Sequence, residues 1–456
     1  MSAGHEASRV PMPRGIGNIY TYETFNAASW IAVLGSPMLL YFQRLHASAT
    51  VLALAAGLAP LMTILQIPAA PYVERLGYRR FVVSGWTTRS LFIVGMTLLA
   101  FLPGSVDRTT RVVVMLSLML GYTVLRGISI CGVMPWFTHI VPESRRGEFL
   151  AKDQMASSIA VVVALTVFSW ILGGPERWYS FGVVYLLASI SAFVSVRFLR
   201  RVPDVAVEKI VPNPHPLPWR AMFRHPPFQR FMRYNIVINL AVGASGVFWV
   251  RFFHETLHIS DSHILLAASG TNAALALALY LASQIIDRSG SLPALTLSGG
   301  LFIVHFTIWA CAAAGIIPVT TELVVFQCVV SGVAGALWNL ANLRAVIGIV
   351  PVMGRAHFLA LYSVGANLTV ALIPLLWGPV LDSVGRWQAA WGWWHWNNFS
   401  IFYTALVLTL VGGLILLRDV REPEAMHWDD FTRELLVNTP GRAIGRVISR
   451  FRGPGL

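Results

Sequence analysis

The side chains able to do chemistry in this chain stand out because they interrupt apolar surroundings. Arg126 lies in the segment LRGISICG, roughly half a membrane from either end of a long hydrophobic run. A guanidinium at that depth costs at least ~3 kcal/mol on insertion scales unless it is paired or hydrated, so it must face a cavity or a partner. Three roles stay open for it: contact with a substrate or a gate, packing against backbone carbonyls, and snorkelling to the interface. Glu23, Asn26 and Trp30 stand at i, i+3 and i+7 near the start of another run, on one helical face. Glu23 is then either a polar helix end or a proton-coupling carboxylate facing a cavity. Asn235 and Asn239 share a face of a third run, and Trp338, Asn339 and Asn342 fall in a fourth. Amides deep in apolar spans bond across helices or meet a hydrated site.

Arg126 also indicates a ligand chemistry. The planar guanidinium can donate two parallel hydrogen bonds to a carboxylate or phosphate. All Asp and Glu residues read as lying in loops, tails or the ends of spans, so no internal counter-ion for Arg126 is legible. The binding set expected on these grounds is Asn26, Arg126, Asn239, Trp338 and Asn339, around a small organic solute with an anionic group. No nucleotide-binding glycine loop, metal-ligand pair or nucleophile motif occurs, so neither catalysis, a cofactor nor a metal is expected. Cys131, Cys311 and Cys328 all sit inside apolar runs and read as packing residues.

The elements that must hold these residues follow from composition. With 56% hydrophobic and 12% charged residues, the 456-residue chain is far from an average soluble domain. Its apolar runs, each about twenty residues or a little longer, can cross a hydrocarbon core of roughly 30 Å as helices. Twelve such spans can be drawn, the first at 23–43, the fifth at 153–173 and the seventh at 231–253. Residues 1–22 form a polar N-terminal segment without a cleavable signal, 23–199 a first six-helix bundle, and 200–230 a basic, proline-rich linker. Residues 231–419 form a second six-helix bundle and 420–456 an amphipathic tail suited to an anionic leaflet. The expected class is an all-α membrane protein with the lipid bilayer as its surroundings. Trp387, Trp391, Trp393, Trp394 and Trp396 crowd the last loop as an interfacial aromatic belt.

The two bundles are copies of one unit. IVPESRRGEFLA from Ile140 returns as IVPVMGRAHFLA from Ile349, 209 residues on, with Arg146 and Arg355 at matching places. Glu74, Arg75 and Gly77 return as Asp287, Arg288 and Gly290, 213 residues on. Two anchors in one order at nearly one spacing mark an internal repeat. The net charge of +13 is concentrated in alternate loops, which places both termini and the linker in the cytoplasm and argues against a nucleic-acid surface.

The stretch Ala70 to Arg80, with Glu74, Arg75, Gly77 and Arg79, resembles the cytoplasmic signature of the major facilitator superfamily. It differs in having Ala70 for the first glycine and Glu for the usual Asp. The resemblance implies the major facilitator fold and a secondary transporter working by alternating access as a monomer. It also implies a gate formed by Glu74, Arg75, Gly77, Arg79, Arg146, Asp287, Arg288 and Arg355, in which carboxylates and cationic loops hold one state closed. It further implies that the first, fourth, seventh and tenth spans, where the polar faces lie, line the central cavity. A polytopic scaffold or embedded enzyme on the same fold is the competing class, and substrate-dependent flux separates the two. The dominance of Arg over Lys is associated with GC-rich bacterial genomes, which points to a bacterial inner membrane.

Overall fold

A computed structural model of the chain describes residues 12–13, 15–102, 106–142, 145–174, 179–205, 222, 224–349, 355–384 and 387–420. Twelve of its helices are long and apolar enough to cross a membrane. In chain order they are α1 Ile16–Arg44, α2 Ala49–Leu76, α3 Tyr78–Ala100, α4 Arg108–Ile140, α5 Arg146–Leu172 and α6 Ser180–Leu199. The second six are α7 Pro226–Thr256, α8 Asp261–Ser289, α9 Leu292–Ala313, α10 Thr321–Ile349, α11 Arg355–Val384 and α12 Asn398–Leu417. Between α11 and α12 stands a hairpin of β1 Ala389–Trp391 and β2 Trp394–Trp396, a small departure from an all-helical reading. It exposes Trp387, Trp391 and Trp393, while Trp394 and Trp396 are partly covered.

Several helices begin earlier than the apolar runs that announce them. α1 starts seven residues before position 23, α5 seven before 153, and α7 five before 231. Hydrophobicity marks where a helix can meet lipid, whereas the backbone stays helical through polar residues that face other helices. Glu23 and Asp153 therefore lie about two turns inside α1 and α5, which corrects their placement at span ends. The same shift ends the linker before Pro226. Most of that linker and the whole tail from residue 421 lie outside the described residues.

Prolines account for three interruptions of the long helices. α1 breaks at Gly35 ahead of Pro37, α2 tightens to a 3-10 turn at Thr63–Leu65 ahead of Pro68, and α4 does so at Ile130–Gly132 ahead of Pro135. Each proline removes a donor and crowds the carbonyl four residues earlier, so the disturbance falls upstream of it. Pro374 and Pro379 sit inside α11 without such an interruption.

The repeat also appears in the backbone. His46 after α1 and His258 after α7 hold left-handed backbones, φ 55 and φ 52. They occupy matching Leu-His-x-Ser sequences, Leu45 to Ser48 and Leu257 to Ser260.

Contacts divide the chain into two compact units. The first is Met1–Asn213 with Val247–Ser269 and Pro374–Pro379; the second is Pro214–Gly246, Gly270–Ile373 and Val380–Leu456. In the first unit α1 packs on α5 and α6, and α3 packs on α4 and α6. One end of this packing is an aromatic cluster including Tyr22, Trp86, Trp136, Phe137 and Phe149. In the second unit α9 packs on α10 and α12. Large apolar side chains such as Leu98, Trp170 and Leu277 point outward, the arrangement expected when lipid is the solvent.

α2 and α4 approach each other at Gly127, where an added Cβ would lie 2.1 Å from the Met62 carbonyl oxygen. Backbone cannot step aside as a flexible side chain can. Gly127→Val is therefore expected to destabilise the protein by at least ~1–3 kcal/mol. Thermal unfolding in detergent checks this, and a Tm equal to the parent's would contradict the close contact.

Candidate functional site

Two ionisable groups of the first unit, Glu23 and Arg89, meet at Asn26. Its side-chain oxygen accepts from Trp86 Nε1 at 3.3 Å and from the Arg89 guanidinium, and its Nδ2 donates to Glu23 Oε2 at 3.2 Å. Asn26 is buried, so its amide is occupied in joining α1 to α3. Arg89 is also buried, 4.1 Å from the centroid of the Trp86 ring and 5.4 Å from that of Tyr122. Cation–π contacts of this length offset part of the cost of burying a guanidinium. Arg89 thus belongs to the wall of the site.

Glu23 faces α5 as well. Ser157 hydrogen-bonds to its carboxylate, and Asp153, one turn before Ser157, adds a like charge to the same neighbourhood. Asp153 Oδ1 is buried and has no hydrogen-bond partner among the described residues. The Tyr122 hydroxyl is in the same situation.

Arg126 follows Tyr122 by one turn on the same face of α4 and feels the charges of Glu23 and Arg89. It is half-buried, and among the described residues it has no hydrogen-bond partner. No ion pair joins Glu23 or Asp153 to Arg89 or Arg126 among the described residues. Among the described residues the five donors of this mid-span guanidinium are thus uncommitted, and Glu23, whose charge it feels, forms no ion pair with it. Among the described residues no backbone carbonyl accepts from its side chain.

The amides of the second unit are arranged differently. Asn235 Nδ2 donates to Asn342 Oδ1 at 2.7 Å, Asn239 Nδ2 to Asn235 Oδ1 at 2.7 Å, and Asn342 Nδ2 to the Tyr362 hydroxyl. All three asparagines are buried. They tie α7, α10 and α11 together, at about 0.6 kcal/mol per such bond in a membrane interior. Asn239 is therefore engaged inside the second unit. Asn339 is exposed, and Trp338 carries a buried Nε1 with no hydrogen-bond partner among the described residues. A second polar contact, which the sequence reading did not pair, joins His305 Nδ1 to Gln327 Oε1 at 2.8 Å between α9 and α10.

Residues 24–326, more than half of the chain, match the model of the Major Facilitator Superfamily. The chain belongs to the major facilitator superfamily. Compared with curated protein sequences, it matches none. Solved structures similar to this superfamily member include a point mutant of the nucleoside transporter NupG, at 14% identity and a TM-score of 0.68 over 90% of this chain and 100% of that one. A POT family transporter in complex with 5-aminolevulinic acid is similar at 12% identity and 0.68, over 90% and 97%. A bacterial homolog of the human lysosomal transporter Spinster is similar at 13% and 0.58, over 89% and 92%. At these identities the likeness concerns the fold. Family and fold together make the chain a multi-pass membrane protein and a secondary transporter of small molecules, not an enzyme.

The superfamily signature is partly in view. Glu74 and Arg75 are exposed at the end of α2, with the Arg75 guanidinium 5.7 Å from the Tyr72 ring centroid. Glu74 has no hydrogen bond or ion pair to a described residue. Gly77 joins α2 to α3 at φ 79, a left-handed conformation that favours glycine. Arg79 donates to the Arg200 carbonyl, and Arg146 Nε to the Thr138 carbonyl at 3.2 Å. The side chains of Asp287, Arg288 and Arg355 lie outside the described residues.

Proposed function

We propose that this transporter moves a small organic anion in a proton-coupled cycle, with Arg126 receiving the anionic group and Glu23 carrying the proton. The observation that supports this best is the half-buried, mid-span Arg126 guanidinium, free of hydrogen-bond partners among the described residues yet within the field of Glu23. A cation placed there is stabilised by an incoming carboxylate or phosphate, whose planar acceptors fit its fork. When the solute's charge pairs with Arg126, the field on Glu23 changes, so solute and proton occupancy are linked. Asn26 and Ser157 hold Glu23 in place, and Asp153 modulates its charge. Trp338, whose Nε1 has no hydrogen-bond partner among the described residues, and the exposed Asn339 are the second unit's candidates for solute contact.

The proposed setting is a bacterial inner membrane, from the dominance of Arg over Lys, with both termini cytoplasmic, from the loop distribution of arginine. Glu74 and the basic residues around it are proposed to stabilise one conformation of the cycle, a role a surface charge can play only through unequal contacts in the two states.

The test is uptake into proteoliposomes of small carboxylates and phosphorylated solutes alongside neutral amide or ester analogues. Transported compounds are expected to be anionic, and their accumulation to require an imposed pH gradient. Transport confined to neutral analogues, or indifferent to the gradient, would overturn the proposal.

A further inference from the structure

A second cationic site lies away from Glu23 and Arg126, on the outer side of α3 and α6 where α3 begins and α6 ends. A cavity of about 780 Å³ there is lined by Arg79, Arg80 and Arg200 together with Ser84, Thr87 and Asp204. Its size falls within the ~300–1,000 Å³ of small-molecule sites.

The donors available in it belong to the arginines. Ser84 and Thr87 hydroxyls bond back to the Phe81 and Val83 carbonyls at 2.9 and 2.7 Å, so their hydrogens are committed. Arg79 spends one N–H on the Arg200 carbonyl, and Arg200 reaches Thr87 Oγ1 at 3.4 Å. Arg80 has no partner among the described residues. Asp204 accepts from the neighbouring Val205 N–H at 3.1 Å and forms no ion pair with these arginines. Three guanidinium groups around one carboxylate leave a net positive pocket with unspent donors.

What lies beyond the pocket identifies the occupant. Arg80, Ser84, Thr87 and Leu91 fall at i, i+4, i+7 and i+11, one stripe of α3, and Leu91 is 56% exposed. Arg200, which caps α6 with helical dihedrals, lies seven residues after Phe193 on one stripe, and Phe193 is 40% exposed. Both helices therefore present an arginine at one end and an exposed apolar side chain deeper along the same face. From Arg80 to Leu91 the rise is about 16 Å, close to the thickness of one leaflet's hydrocarbon. A free phosphate would use the arginines and ignore the stripes, whereas a lipid uses both.

We infer that this groove binds an anionic diacyl phospholipid, its phosphate held by Arg80 and Arg200 and its chains lying along the α3 and α6 stripes. Basic pockets beside membrane helices recognise lipid headgroups through the same charge-assisted geometry that serves other phosphates.

Native mass spectrometry of the full chain in detergent tests this with added phosphatidylglycerol, phosphatidylcholine or inorganic phosphate. One phosphatidylglycerol is expected to be retained in preference to phosphatidylcholine, with no displacement by millimolar inorganic phosphate. The double variant Arg80→Gln/Arg200→Gln is expected to bind phosphatidylglycerol about 10- to 30-fold more weakly. Equal binding of the two lipids, or unchanged affinity in the double variant, would overturn the site. Displacement by inorganic phosphate would make it a free-anion site and overturn the lipid assignment. Should the double variant fail to fold, the lipid selectivity of the parent decides alone.

Discussion

Glu23→Gln is expected to abolish gradient-driven accumulation of the solute while leaving solute exchange across the membrane. The substitution keeps the size of the side chain, and its amide oxygen can still accept from Asn26 and Ser157, so the α1 to α3 junction has no reason to fail. Only the exchangeable proton is lost. An imposed gradient of one pH unit is worth about 1.4 kcal/mol per proton and therefore about tenfold in accumulation. In the variant that ratio should fall to about one. Exchange persists because it needs binding and the change of access, but no proton released on return. If accumulation survives in Glu23→Gln and disappears in Asp153→Asn, the proton resides on α5 and Glu23 is a positioning group.

Arg126→Lys is expected to weaken binding of the anionic solute about 10- to 100-fold, because a charge-assisted hydrogen bond of about 1.5–3 kcal/mol is lost when the fork becomes a point charge. Stability should stay near the parent's, since Arg126 makes no hydrogen bond to any described residue. Arg89 differs in this respect: its contacts with Asn26, Trp86 and Tyr122 make the same substitution there a structural one. Affinity measured by isothermal titration for the solute and for its neutral ester separates the two roles. A loss confined to the anion marks a direct contact. An equal loss for both compounds, or no loss for either, would place Arg126 in packing or gating.

The number of helices, the internal duplication and the family signature were legible because each leaves a linear trace: an apolar run, a recurring word, an acid followed by a base and a glycine. Arg126 was legible for the same reason, being a charge inside an apolar run. Asp153 was not, because the polar stretch before it breaks the hydrophobic run while leaving the helix unbroken from Arg146. Drawing the span from the run moved both Glu23 and Asp153 to the membrane edge and left Arg126 without visible carboxylates nearby. The different uses of the asparagines were also hidden. Asn26, Asn239 and Asn339 look alike in sequence, yet two are buried and bonded and the third is exposed. That distinction depends on which helix faces which and at what register, and no periodicity within one helix encodes it. The left-handed His46 and His258 leave a shorter trace of the repeat, a Leu-His-x-Ser word of four residues in each copy.

The proposed cycle moves solute and proton together through the Glu23 and Arg126 neighbourhood. It is tested most directly by enclosing a pH-sensitive dye in proteoliposomes and adding the transported anion outside, with no gradient imposed. Lumen acidification is expected with the parent protein and none with Glu23→Gln, although the variant still exchanges labelled solute. Solute entry without any pH change in the parent, or the same acidification in Glu23→Gln, would contradict it.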